Sequence, residues 1–259
     1  MKKTILILTL INLLFSNLSF SQVPNYVPTN GLIGWWPFSG NANDLSGNGN
    51  NGIVSNSVQS SDRFGTTNSS YYYDGNNDYI KFPTNILSTA QASSISIWVL
   101  AENTLSRNII FSVGDSTGIV STNGNHYSLE LYDENSGDPL SSNKMVHNVD
   151  RRICQTTNNP YRWFSDTSYS VQSMVWNHIV LTSDGTQTKY YRNGIEVTNL
   201  YQASPLLGIR VADLCAGINY FWLGKRKRVG EEFFMKGKLD DLGMWNRVLT
   251  NCEVLDLYN

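Results

Sequence analysis

Ser94-Ile95-Ser96-Ile97-Trp98-Val99 is the stretch on which the fold turns. Ile95, Ile97 and Val99 fall on one face of an extended chain and Ser94 and Ser96 on the other, the period of two that marks a half-buried strand. The signature recurs outward in both directions. Toward the N-terminus, Tyr71 to Phe82 is aromatic and is broken by the turn residues Asp74-Gly75-Asn76-Asn77. Toward the C-terminus, Asn108 to Val113 runs into Gly114-Asp115, and in His126 to Tyr132 the residues Tyr127, Leu129 and Leu131 alternate with Ser128, Glu130 and Tyr132. Val175 to Thr182 and Thr188 to Tyr191 flank Ser183-Asp184-Gly185, a hairpin signal, and Arg192-Asn193-Gly194 turns the chain again into Ile195-Glu196-Val197. Tyr220 to Gly224 and Lys238 to Trp245 close the series, and only Thr250 to Tyr258 reads as helix. Short strands at close spacing without long helices between them predict an all-β chain: two antiparallel sheets in a jelly-roll sandwich. The alternation predicts one core face and one partly wet face for each sheet.

Composition agrees. Of 259 residues, 41% are hydrophobic, 12% aromatic and 15% charged, which is too apolar and too weakly charged for a disordered chain. Asn occurs 30 times against 3 His, a turn-rich bias. Lys and Arg total 19 against 21 Asp and Glu, so no basic excess points to nucleic acid. No apolar run reaches the roughly 18 residues of a membrane span.

The first residues read as an address. Lys2 and Lys3 precede an uncharged apolar run from Thr4 to Phe15, and Ser19-Phe20-Ser21 offers small residues two apart for cleavage. Residues 1–21 are therefore expected to be a signal peptide of bacterial type, and the protein to be secreted or held at the cell surface. Residues 22–30, with Pro24 and Pro28, are expected as a linker or an edge strand. Residues 31–259 are expected to form one domain. Cys154, Cys215 and Cys252 follow the leader. Three is odd, so at most one intramolecular disulfide forms, and the spacing does not choose the pair.

Longer strings carry a family resemblance. Gly31-Leu32-Ile33-Gly34-Trp35-Trp36-Pro37-Phe38, followed by the Asn- and Gly-rich run from Gly40 to Gly52, resembles the opening of laminin-G-like jelly-roll domains of the concanavalin A-like lectin/glucanase superfamily. Tyr73 to Ile80, Ile95 to Val99, Trp176 to Val180 with Tyr191-Arg192-Asn193-Gly194, and Gly237 to Leu249 are similar to successive later strands of that family. The resemblance spans almost all of Gly31 to Tyr258 and is weakest from Gly114 to Ser173. It implies a two-sheet sandwich and, near these motifs, a structural calcium ion.

The residues themselves offer a calcium set. Hard cations take six to eight oxygen ligands. Asp44 lies in the Asn- and Gly-rich loop with Asn48, and Asp78 follows a Gly-Asn-Asn turn. Asp240 and Asp241 sit side by side on an expected strand, hence on opposite faces. Asp240 shares its face with Leu242 and Met244, where a carboxylate needs a partner. A cation shared with Asp44 would supply one; the alternatives are Arg247 or backbone amides, with Asp44 and Asp78 merely capping turns.

Hydrolysis by two carboxylates needs them about 5 Å apart in a retaining enzyme. Glu130-Leu131-Tyr132-Asp133-Glu134 is the nearest string, but Tyr132 fills the middle position and Asp133 points away, so these acids read as a solvated strand end. Glu231-Glu232 reads as a charged loop. His178 alternates with Trp176 and reads as packed. Lys225-Arg226-Lys227-Arg228 stands out in an acidic chain, either as a solvated hairpin tip or as a docking patch for an anionic glycan. Tyr161, Trp163 and Phe164, expected on loops, offer faces for sugar rings. The favoured function is an exported, non-catalytic recognition or adhesion module for a carbohydrate or a cell-surface protein. The alternative is a glycan-active hydrolase or lyase.

Overall fold

Alternation translates into pairing throughout the computed structural model, which describes residues 22–102, 106–115, 125–131, 144–150, 161–166, 168–198, 200–202, 211–214, 218–228 and 231–259. The expected leader, residues 1–21, lies outside the described residues, as do Cys154 and Cys215. The chain opens with strands β1 (Leu32–Trp36), β2 (Ile53–Ser55), β3 (Val58–Ser60), β4 (Ser70–Asp74), β5 (Tyr79–Lys81) and β6 (Ser93–Ala101). Then come β7 (Asn108–Asp115), β8 (Asn125–Leu131), β9 (Met145–Asp150), β10 (Tyr161–Asp166), β11 (Trp176–Ser183) and β12 (Thr188–Arg192). The last are β13 (Ile195–Glu196), β14 (Leu200–Gln202), β15 (Tyr220–Leu223), β16 (Lys225–Arg228), β17 (Glu231–Phe234), β18 (Lys236–Trp245) and the helix α1 (Asn251–Tyr258).

Two antiparallel sheets result. The first runs β13-β12-β11-β6-β18-β4-β3, and the second β14-β10-β9-β8-β7-β15-β5-β2. The far edge of β18 is shared: its first half pairs β4 and its second half pairs β1. Ile95, Ile97 and Val99 of β6 face Phe111, Leu129, Phe221 and Leu223 of the second sheet across one apolar core. A third pairing, β16 with β17, folds back over the second sheet.

The outer face of the first sheet is not wet. Ser94 and Ser96 are as buried as the isoleucines beside them, and Trp98 is buried too. α1 and the residues before β1 cover them through a second apolar cluster of Val27, Trp35, Val180, Tyr191, Trp245, Leu249, Val254 and Leu257. Residues 22–30 join neither sheet, so no edge strand forms there. Val27 is buried, and Pro28 O accepts a hydrogen bond from Trp245 Nε1 at 2.6 Å. The buried serines are satisfied: Ser94 Oγ donates to Arg247 O at 2.7 Å and accepts from Leu249 N at 3.0 Å. Thr250 caps α1 with a reciprocal Thr250–Glu253 capping box, which fixes the helix start where the sequence predicts it.

Candidate functional site

The outer face of the second sheet gathers aromatic and polar residues by register. Ile53, Lys81, Trp222, Ser112 and Ser128 are opposed in one row across β2, β5, β15, β7 and β8. Phe221 and Leu223 turn into the core, so Tyr220 and Trp222 take this outer face. Their rings stack with centroids 4.1 Å apart and planes 14° apart. Tyr79 lies 5.9 Å from Trp222, and both remain partly open to solvent. Burial pushes the Tyr220 phenol pKa well up. Lys225 Nζ lies 4.9 Å from the Tyr79 ring, 5.2 Å from Trp222 and 5.0 Å from Phe234, within cation–π range of all three.

Beside this aromatic cluster sits an ionic one. Glu130 and Arg226 are both fully buried, and the Arg226 guanidinium donates to Glu130 Oε1, which also accepts from Ser128 Oγ. Arg107 Nε stands 3.9 Å from the second Glu130 oxygen. The two guanidiniums lie 5.2 and 5.0 Å from the Phe233 ring. An open cavity of about 730 Å³ adjoins them, lined among others by Asp74, Arg107, Glu231, Phe233, Phe234 and Lys236. That volume lies in the range of ordinary ligand clefts.

This geometry revises several expectations. Glu130 is no solvated strand end: its charge is met by Arg226, 96 residues away in sequence. Glu231 and Glu232 belong to strand β17 rather than a loop. Lys225–Arg228 is strand β16, not a hairpin tip. Arg226 is internal, Lys225 Nζ contacts Glu232 at 3.2 Å, and Lys227 Nζ reaches Glu232 at 3.5 Å. The register sets Arg228 opposite Glu231. Four free cations are therefore not on offer as one patch. Tyr161, Trp163 and Phe164 lie on β10, not on loops, because that segment pairs with β9 and β14. The sequence reading missed Tyr79, Tyr220 and Trp222; the period of two in Tyr220-Phe221-Trp222-Leu223 was the available signal.

The proposed calcium ligands do not fit one shared ion. Asp44 Oδ1 accepts from the amides of Trp35 at 3.0 Å and Ser46 at 2.9 Å, and Oδ2 accepts from Asn50 N at 2.9 Å. It organises its loop through backbone amides. Asn48 Nδ2 is donated to Leu32 O and Ile33 O, both at 3.0 Å. Asp78 Oδ2 accepts from Asp74 N at 2.8 Å. Asp240 and Asp241 do not point to opposite faces. A bulge in β18 against β6 and a left-handed Asp241 (φ 45°) break the alternation. Both carboxylates meet Arg63 Nη1, at 3.1 and 2.8 Å, so the protein partner of Asp240 is Arg63 and not Arg247. Arg247 instead binds Glu253. Burial, then the neighbouring Asp241, pushes the Asp240 pKa up to about 8, and burial raises Asp241 too. Among the described residues no three His, Cys, Asp or Glu side chains gather as a ligand set. Cys252 is an exposed free thiol at the start of α1.

His178 is packed, as expected. It is 1% exposed, its ring centroid lies 5.1 Å from that of Trp98, and Nε2 lies 2.8 Å from Ser96 Oγ. Burial, aided by the Arg63 charge, lowers its pKa to about 3, so it is neutral.

The two-sheet architecture has relatives. A model of a laminin-G-type family, described as concanavalin A-like lectin/glucanases superfamily, matches residues 74–255. The chain belongs to this superfamily. No curated protein matches it. Among solved structures, the superfamily chain resembles domain 4 of AbnA, a GH43 extracellular arabinanase from Geobacillus stearothermophilus, in complex with arabinotriose. The TM-score is 0.61 at 20% identity, over 88% of this chain and 98% of that one. It also resembles Trypanosoma rangeli sialidase in complex with sialic acid (TM-score 0.59, 17% identity), over 90% of this chain but only 33% of the sialidase. The third is the binding domain of Paraclostridial Mosquitocidal Protein 1 (TM-score 0.57, 18% identity), over 89% of this chain and 52% of that one. At these identities the likeness is one of fold. No helix among the described residues is long and apolar enough to cross a membrane.

Proposed function

We propose that this superfamily member is an exported, non-catalytic glycan-recognition module, binding at the outer face of its second sheet. The observation that carries the reading is the partly open pair of Trp222 and Tyr79, braced from beneath by the buried Tyr220 ring and flanked by Lys225, beside a cavity lined by both charge signs. Aromatic faces pack against the C–H side of sugar rings, while flanking charged groups meet hydroxyls and carboxylates. Glu130 supports binding over cleavage: it is fully buried, with Oε1 taken by Arg226 and Ser128, out of reach of a glycosidic bond. Fold neighbours that act on or bind glycans agree with the class of ligand. The leader at residues 1–21 supports an extracellular setting, where the partner is a glycan or a glycan-bearing surface protein.

A glycan array run alongside a reducing-sugar assay tests this. Wild type should retain at least one glycan and release no product. Trp222→Ala should weaken that binding about tenfold, or about 1.4 kcal/mol, with an unchanged circular dichroism spectrum. Turnover of any arrayed glycan would replace this reading with the hydrolase or lyase. Unaltered affinity in Trp222→Ala would remove the site.

A further inference from the structure

The opposite face of the molecule carries a second arrangement that glycan recognition by the second sheet does not use. An open cavity of about 390 Å³ is lined by Asn25, Tyr26, Arg63, Phe64, Asp256 and Asn259 beside the end of α1. Phe64 is 73% exposed, yet it is held in place from two sides. Its backbone amide donates to Asp62 Oδ1 at 2.9 Å, and the same oxygen accepts from Thr66 N at 2.7 Å, which fixes the turn. Its ring lies against the Arg63 guanidinium, 4.5 Å from the centroid. That guanidinium is itself stacked on Trp98 at 4.4 Å and pinned by Asp240 and Asp241. An isolated surface phenylalanine is ordinary. One immobilised through a buried three-charge cluster is a rigid aromatic platform, which loses little conformational freedom when a ligand settles on it.

We propose that this cavity is a second sugar-binding site, independent of the first, and that it takes an uncharged sugar ring. Phe64 and Tyr26, the latter 39% exposed, supply aromatic faces. The exposed side chains of Asn25, Asp256 and Asn259 supply donors and acceptors for hydroxyls. The charge selects the class. Asp256 lines the cavity and Asp62 holds the Phe64 turn, while the Arg63 charge is already taken up by the Asp240–Asp241 pair and Lys238 Nζ is held by Ser61 O and Oγ at 3.1 and 2.9 Å. A uronic or sialic acid carboxylate would enter an acidic field without a free counter-charge, whereas a neutral ring would not. The volume suits a ligand of one or two rings.

The test uses the chain from Gln22 and three neutral probes, arabinotriose, cellotriose and mannotriose, followed by amide NMR and calorimetry. At least one probe should shift the amides of Tyr26, Phe64 and Asn259. Phe64→Ala should cost about tenfold in affinity with no change in melting temperature, because its ring is exposed. Arg63→Lys keeps the charge but loses the planar stack, and should weaken the same binding. Trp222→Ala should leave these shifts untouched. No shift at these amides with any of the three probes up to about 20 mM, far beyond usual lectin-type affinities, overturns the second site. So does binding that Trp222→Ala abolishes and Phe64→Ala spares, an outcome that leaves the first site standing.

Discussion

At the scale of single residues, Asp240 carries the sharpest consequence. Two buried carboxylates share one guanidinium, so the cluster holds one more negative than positive charge unless a proton is retained. With its folded pKa near 8, Asp240 keeps that proton in the folded state long after an unfolded aspartate, with a pKa near 4, has lost it. The resulting stabilisation is complete below pH 4 and disappears as pH rises through 8. His178 works the other way: with its folded pKa lowered to about 3, its contribution is present above about 6.5 and lost as pH falls. The two slopes offset each other between about pH 4 and 6.5, leaving the buried aspartate pair, Asp240 above all, to set the slope at higher pH. Unfolding free energy by urea titration should therefore fall by about 1–2 kcal/mol from pH 6.5 to 8.5. Asp240→Asn, which keeps the shape and leaves Arg63 with Asp241, should flatten that fall. A wild-type profile level across this interval would contradict the buried pair. Such a cluster was not legible in the sequence. Arg63 lies 177 residues from Asp240, in a loop with no periodic signal, and the bulge that turns both aspartates to it breaks the alternation on which their faces were assigned.

At the scale of elements, legibility followed the locality of the cause. β6, β11, β12 and β18 have periods of two written into their own residues, and the Thr250–Glu253 capping box is a four-residue pattern. β16 and β17 were unreadable for the opposite reason. Lys225-Arg226-Lys227-Arg228 and Glu231-Glu232 look solvated because Lys225, Arg226, Lys227 and Glu232 meet their counter-charges only in three dimensions. β9 and β10 lie where the family strings are weakest, and their aromatic residues are ambiguous between loop and strand. The hairpin makes its own prediction. Arg226→Met strands Glu130 as a buried charge and should cost about 3–5 kcal/mol in denaturant unfolding. Adding Glu130→Leu should recover most of that loss, since replacing both partners by apolar groups removes the desolvation penalty as well as the pair. Additive losses in the double variant would mean the two residues are not coupled.

For the whole molecule, the covered outer face of the first sheet separates stability from recognition. Leu249 is 1% exposed and belongs to the cluster under α1, on the far side of the sandwich from Trp222. It lines neither cavity. Leu249→Ala empties part of that cluster and should lower stability by about 2–5 kcal/mol. The proposed glycan face is built on the other sheet, and packed interiors transmit strain only where neighbours must shift. Glycan affinity at the Trp222 face, measured by calorimetry well below the lowered melting temperature, should therefore stay within about twofold of wild type. A loss of affinity in step with the loss of stability would show that α1 and the glycan face form one cooperative unit. The aromatic surface would then be held in shape by the helix behind it, not by the register of its own strands.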